Sequence, residues 1–229
     1  MMKRSEINKL IIHAISFFDR MNFNLPPWAS WSLETWKAQK DHCTEIFDMQ
    51  LGWDLTDFGS GSFLNTGLLL FTLRNGNPKT GLKSYAEKIM VVEENQLTPM
   101  HFHWSKMEDI INRGGGNLII QLYASTENEE LSKEDFEVSL DGISRTCGPG
   151  EVVALHPGES ITLPQGLYHS FHGEPGKGKV LVGEVSAVND DHSDNRFYEE
   201  MGRFPEIEED EAMAYLLVSD YANINLKFI

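Results

Sequence analysis

Seven short apolar runs follow one another between residues 67 and 188, and no helical pattern separates them: GLLLFTL (67–73), SYAEKIMVV (84–92), GNLIIQLYAS (116–125), FEVSLDG (136–142), EVVALHPG (151–158), SITLP (160–164) and KVLVGEVSAV (179–188). Most are bounded by Gly, Pro, Asn or Asp, and turn-rich stretches such as DLTDFGSGSF (54–63) and RNGNPKTG (74–81) add further punctuation. A short strand must find neighbours for its backbone hydrogen bonds. Without crossover helices those neighbours are antiparallel, so the pattern predicts a sandwich or barrel.

Ahead of this region, Ile7, Leu10, Ile11, Ala14, Phe18 and Met21 fall at helical spacing behind a potential Ser5 cap, predicting an amphipathic helix over 5–21. His13, between apolar positions, is expected to be a partly buried packing residue. Trp28, Trp31 and Trp36 flank Pro26-Pro27 and Ser32, which is placed to cap a second short helix; the stretch reads as an arm pressed onto the main fold. A single domain over 1–229 is expected, with a helical arm over 1–50 and a β-barrel with a C-terminal extension over 51–229. The acidic end, from Phe204 onward, reads as a solvated face.

The 229 residues are 41% apolar and 24% charged, enough for one buried core. Thirty-five acidic against 19 basic residues give a net charge of -16, which repels phosphate backbones and anionic lipid and argues against nucleic-acid or membrane partners. No run approaches the roughly 20 apolar residues of a membrane helix, and the charged start does not read as a signal peptide. The expected location is the cytoplasm. Cys43 and Cys147 form no CxxC or CxxH pattern, so neither a disulfide framework nor a zinc ribbon is indicated.

His101-Phe102-His103 lies in an extended segment, where residues two apart share a face and the two imidazoles converge. Glu108 has the wrong parity to join them unless the chain bends between 103 and 108. His169, after Pro164 and Gly166, is the best-placed fourth ligand. His172 lies three residues on and faces the other way, while His42, His156 and His192 have no motif partner and read as surface or structural residues. Imidazole with carboxylate suits Mn, Fe, Ni, Co or Zn rather than an all-oxygen Mg or Ca site.

From His101 the chain reads HxH, four residues, Glu108, six residues, Gly115; downstream it reads Gly158, five residues, Pro164, one residue, Gly166, two residues, His169. These blocks resemble the paired motifs of the cupin superfamily, which implies a cupin-type antiparallel β-barrel (jelly roll) with an α-helical N-terminal extension. Two positions depart from the pattern: Asn95 stands where the first motif usually opens with Gly, and Gly173 where the second usually ends with Asn.

Four ligands leave two adjacent positions on an octahedral ion, suited either to chelating neighbouring oxygens of a substrate or to dioxygen chemistry. Lys106, in the segment that must bend, is expected beside the metal, where its charged form is disfavoured and proton transfer is eased. Glu184 shares a strand face with Val180 and Val182, opposite Leu181 and Val185; which face looks inward is left open.

Over nearly its whole length, through LGWDLTDFGSG (51–61), GLLLFTLRNG (67–76), TPMHFHWSKMEDIINRGGG (98–116) and GEVSAVNDDHSDNRF (183–197), the chain resembles the D-lyxose ketol-isomerases. The resemblance implies a Mn-dependent homodimer, with Co, Fe, Ni or Zn as alternatives. Such an enzyme interconverts D-lyxose with D-xylulose, and often D-mannose with D-fructose, through a cis-enediol. On it, His101, His103, Glu108 and His169 match the metal ligands and Lys106 an active-site lysine. Glu184 or Glu206, folded back from the tail, is the candidate to move the carbon-bound proton, and Asp190, Asp194 and Arg196 are candidates for binding sugar hydroxyls. The rivals are an iron-dependent cupin dioxygenase and a non-catalytic sugar-binding cupin.

Overall fold

A computed structural model of the chain describes residues 1–77, 83–188, 190 and 193–222; His192 and part of the 74–81 turn lie outside them. In chain order, β1 (Met2–Lys3) leads into α1 (Arg4–Arg20), α2 (Leu33–Gln39) and α3 (Thr44–Asp48). The strands β2 (Gly52–Thr56), β3 (Leu68–Arg74), β4 (Tyr85–Val92), β5 (Thr98–Phe102), β6 (Glu108–Gly115), β7 (Leu118–Ala124) and β8 (Phe136–Leu140) come next. They continue as β9 (Ile143–Cys147), β10 (Glu151–Leu155), β11 (Ser160–Leu163), β12 (Leu167–Gly173), β13 (Val180–Ala187), β14 (Arg196–Phe197) and β15 (Ile207–Glu208). No helix among the described residues is long and apolar enough to cross a membrane.

Two antiparallel sheets, ordered β10-β7-β12-β5-β14 and β2-β3-β4-β13-β6-β11-β8-β9, enclose one interior in a cupin-type barrel. Alternation explains the closure: Leu118, Ile120 and Leu122 of β7 meet Met90 and Val92 of β4 and Val180 and Val182 of β13 inside. The opposite parity on β4 and β13, Ile89, Val91 and Leu181, packs outward against Ile7, Ile11, Ala14, Phe17 and Phe18 of α1. That half of the large sheet is buried on both faces, which is why its strands read as near-continuous apolar runs. Each large apolar side chain so covered contributes about 1.5–3 kcal/mol.

The helix begins two residues earlier than the Ser5 cap predicts, with Lys3 as its N-cap. The Lys3 backbone N–H donates to the Glu6 carboxylate, and Ser5, inside the first turn, donates its N–H and hydroxyl to Asp210 (2.9 and 2.8 Å). His13 is exposed rather than packed, because the apolar stripe of α1 runs through Ile11 and Ala14 and leaves position 13 outside it. Ser32 does cap α2, accepting from the Thr35 N–H. Trp36 is ringed by Trp28, Trp31, Phe47 and Tyr221, and Trp28 in turn lies against Phe71 of β3. The acidic end is only partly a solvated face. Arg4, fully buried, pairs with Asp220 and Glu209, while Leu216, Leu217 and Tyr221 enter the core.

The two departures from the cupin motifs meet each other. Asn95 adopts φ +58°, a left-handed conformation that Asn tolerates and Gly would favour, and its N–H donates to the Gly173 carbonyl (3.0 Å). Gly173 in turn donates to the Glu93 carbonyl so closely that a Cβ would lie 2.8 Å from that oxygen. Any side chain at 173 would meet the backbone of Glu93 and Glu94, so the close approach of the two segments requires glycine there.

Candidate metal centre and active-site cavity

The barrel interior ends in a cavity lined by His101, His103, Lys106, Glu108, His169 and Glu184. Strand pairing explains the convergence. His101 and His169 are direct cross-strand partners on β5 and β12, with ring centroids 4.1 Å apart, and His103 follows two residues later on the same face. β5 ends at Phe102, the chain bends through 103–107, and Glu108 opens β6, so the parity problem is solved by a turn. Gly166 ties the two motif blocks together, its N–H donating to the His103 carbonyl (2.9 Å). His172 is half-buried and turned away, its Nδ1 against the Gly173 carbonyl.

One ring nitrogen from each of His101, His103 and His169 lies within 4.8 Å of the others, and all three residues are buried. Their tautomers follow from their partners. His101 Nδ1 faces the Pro99 carbonyl (2.7 Å), His103 Nδ1 the Asp194 carbonyl (2.7 Å) and His169 Nδ1 the Leu167 carbonyl (3.0 Å). A carbonyl only accepts, so each Nδ1 carries the proton and each Nε2 presents a lone pair. Glu108 Oε1 stands 3.1 Å from His169 Nε2 and 3.4 Å from His103 Nε2. In these tautomers neither side of those contacts holds a proton. His169 Nε2 is accordingly buried without a hydrogen-bond partner. Three imidazole lone pairs and a carboxylate oxygen, facing one another with no donor among them, fit a borderline divalent cation. The carbonyl-held Nδ1–H groups fix the rings for it.

Electrostatics agree. Burial, reinforced by the His169 and His103 rings, holds the His101 pKa well below the ordinary histidine value, keeping it a neutral ligand. Burial alone would raise the Glu108 carboxyl, but the Lys106 ammonium outweighs it and holds that pKa well below the usual carboxylate range. Lys106 Nζ bridges Glu108 Oε2 (2.6 Å) and Glu184 Oε1 (2.9 Å). Glu184 faces inward with Val180 and Val182, and its Oε1 also receives the Ser186 hydroxyl (3.2 Å) and lies 3.5 Å from Lys88 Nζ.

Four predicted site residues are not brought to this cavity. Glu206 is exposed, because Ile207–Glu208 pairs with Met2–Lys3 and the Glu206 carbonyl accepts from Met2, which fixes it beside α1. Asp190 is exposed, and its carboxylate accepts from the N–H and hydroxyl of Ser193. Arg196 extends outward to Glu129 (2.9 Å). Asp194 is buried beside the site but holds protein rather than ligand: its two carboxylate oxygens accept the N–H groups of Ser105 (2.8 Å) and Lys106 (2.9 Å) and so shape the 103–107 bend.

The cavity contains polar residues that sequence reasoning missed: Asp54, Thr56, Lys88, Thr98, Asn195 and Arg203. Lys88 carried a readable signal, a lysine inside the apolar run AEKIMVV with the parity of the inward-facing Met90 and Val92. Arg203 carried none, since only the path of the tail brings it here.

The D-lyxose isomerase family profile matches residues 2–221 of the chain. A D-lyxose/D-mannose isomerase of Escherichia coli O157:H7 is 51% identical over 96% of this chain and 98% of its own length, and one of Serratia proteamaculans is 49% identical over the full length of both. Among solved structures, the L-ribose isomerase of Geodermatophilus obscurus superposes with a TM-score of 0.58 at 16% identity, covering 86% of this chain and 92% of the other; that likeness is one of fold.

Proposed function

This chain belongs to the D-lyxose isomerase family, and from that premise we propose that it is a metal-dependent aldose–ketose isomerase interconverting D-lyxose with D-xylulose and D-mannose with D-fructose. The reading is carried by the donor-free cluster of His101, His103, His169 and Glu108 beside the Lys106–Glu184 pair in one buried cavity. Those four residues would hold the ion, with Mn2+ as the expected metal and Co2+, Fe2+, Ni2+ or Zn2+ as alternatives. Bound there, a divalent cation would supply Lewis-acid stabilisation of the negative charge that develops on the sugar's O1 and O2.

The chain's own groups would handle the protons. Among the described residues, Lys106, Ser186 and Lys88 stand against Glu184 Oε1, and we assign Oε2 to take the proton from C2 and return it to C1 through a cis-enediol. Lys106 Nζ, held between two carboxylates, is placed to exchange protons with the sugar oxygens. The apolar wall of Leu68, Met90, Ile110 and Phe171 limits water at the reacting carbons. A homodimeric, cytoplasmic protein completes the reading.

Metal-stripped protein given Mn2+ and a panel of aldoses without dioxygen tests it. Ketose from D-lyxose and D-mannose is expected. No ketose from either sinks the assignment, a requirement for dioxygen points to oxidation instead, and sugar that binds unchanged points to a non-catalytic protein.

A further inference from the structure

We propose that Phe204, carried by the tail across the cavity mouth, sets the length of sugar the cavity accepts; this rests on the isomerase reading and extends it from reaction type to chain length. A gradient of exposure gives the cavity a direction. His169 and Glu108 are 1% and 3% exposed, whereas Phe204, which lines the same cavity, is 44% exposed. The chemistry lies at the deep end and Phe204 at the rim. A sugar whose carbonyl end lies beside the histidines and Glu184 therefore directs its remaining carbons toward Phe204. Aldoses of five and six carbons share the reacting end and differ by one CHOH unit at the far end, where this ring stands.

The tail that carries Phe204 is fixed in place. Upstream, Arg196–Phe197 pairs with β5; downstream, Ile207–Glu208 pairs with β1. Between them, the Arg203 carbonyl accepts from the Phe58 N–H (3.2 Å) and from the Thr56 hydroxyl. Gly59 and Gly202 stack backbone on backbone, so that a Cβ on Gly59 would lie 2.7 Å from Gly202 Cα. The Arg203 guanidinium lies over the Phe204 ring at 5.1 Å, restricting its rotation. A wall held this way discriminates by size, because it cannot retreat without breaking those contacts.

The test compares wild type with Phe204→Ala and Phe204→Trp, using D-lyxose and D-mannose as substrates. In parallel, calorimetry on Mn-loaded protein measures binding of the alditols made by reducing those two sugars, which have no carbonyl to isomerise. A pocket change of this size is expected to move the six-carbon to five-carbon ratio of kcat/KM by about 10-fold, upward in Phe204→Ala and downward in Phe204→Trp, through KM rather than kcat. The alditol affinities should move in the same directions. Equal effects on both chain lengths, or shifts of the same sign in both variants, overturn the proposal while wild-type ketose formation leaves the isomerase reading standing. A wild type that makes no ketose overturns both.

Discussion

Replacing Arg4 with methionine removes a buried cation that ties α1 to Glu209 and Asp220. Its guanidinium is fully buried and grips Asp220 through two parallel bonds of 2.8 and 3.0 Å, while Glu209 takes a second pair of 2.7 and 2.9 Å. The two partners count differently. Glu209 is 55% exposed on its side chain and contributes about 0–1 kcal/mol. Asp220 is 7% exposed, so losing Arg4 leaves a buried carboxylate whose remaining donor among the described residues is the Leu217 N–H, at a cost of about 3–5 kcal/mol. For a chain of this size that corresponds to a fall in Tm of roughly 10 °C. Thermal and urea unfolding of Arg4→Met measure it, with Arg4→Met/Asp220→Leu as the companion. Because the penalty comes from the unpaired charge, the double variant should recover most of the loss. A single variant within 1 kcal/mol of wild type, or a double variant as unstable as the single, refutes this reasoning.

Glu184→Gln should reduce ketose formation, and exchange of the C2 proton with solvent, by about 10²–10⁴-fold while metal content is unchanged; mass spectrometry of sugar recovered from D2O reads both, and near-normal exchange removes Glu184 from the proposed role. Asp194→Ala frees the Ser105 and Lys106 N–H groups that shape the 103–107 bend, so metal affinity in a competitive chelator titration should drop at least about 10-fold with the fold retained by circular dichroism. The Glu209 carboxyl is held below its ordinary pKa by the Arg4 hydrogen bonds, and that of Asp210 by the Ser5 N–H and hydroxyl. Both pKa values are lower folded than unfolded. Their contribution is therefore complete above the unfolded carboxylate range and lost as pH falls through the lower folded values, so hydrogen exchange over 207–210 should rise below about pH 4. Ser5→Ala should move that rise to higher pH; an unchanged profile contradicts the attribution.

Legibility in the sequence followed how local each signal was. The strands that bury a face announced themselves, since Val180, Val182, Leu118 and Ile120 alternate or run together whatever lies across from them. β2 was hidden in a turn-rich stretch, because Trp53 and Leu55 become a strand face only when α1 covers them. β9, exposed along most of its length, has no alternation to read. Within the site, His101, His103 and Glu108 sit on one bend and His169 opposite it, so their positions depend on few contacts. The tail was another matter. Whether Glu206, Arg203 or Phe204 reaches the cavity is decided by β14 pairing with β5, by β15 pairing with β1 and by the Gly59–Gly202 contact, none of which leaves a pattern within a window of sequence. From sequence Asp194 is a candidate sugar binder, and its use instead in holding the backbone of Ser105 and Lys106 is visible only in the fold.

The central claim, that the histidine and glutamate cluster holds the ion on which sugar isomerisation depends, is tested most directly by metal content and ketose yield measured on the same samples of wild type and His169→Ala. The account predicts about one divalent ion per chain and ketose from D-lyxose in the wild type, with both lost together in the variant. Ketose formed at the wild-type rate by a variant or a stripped protein without metal would contradict it.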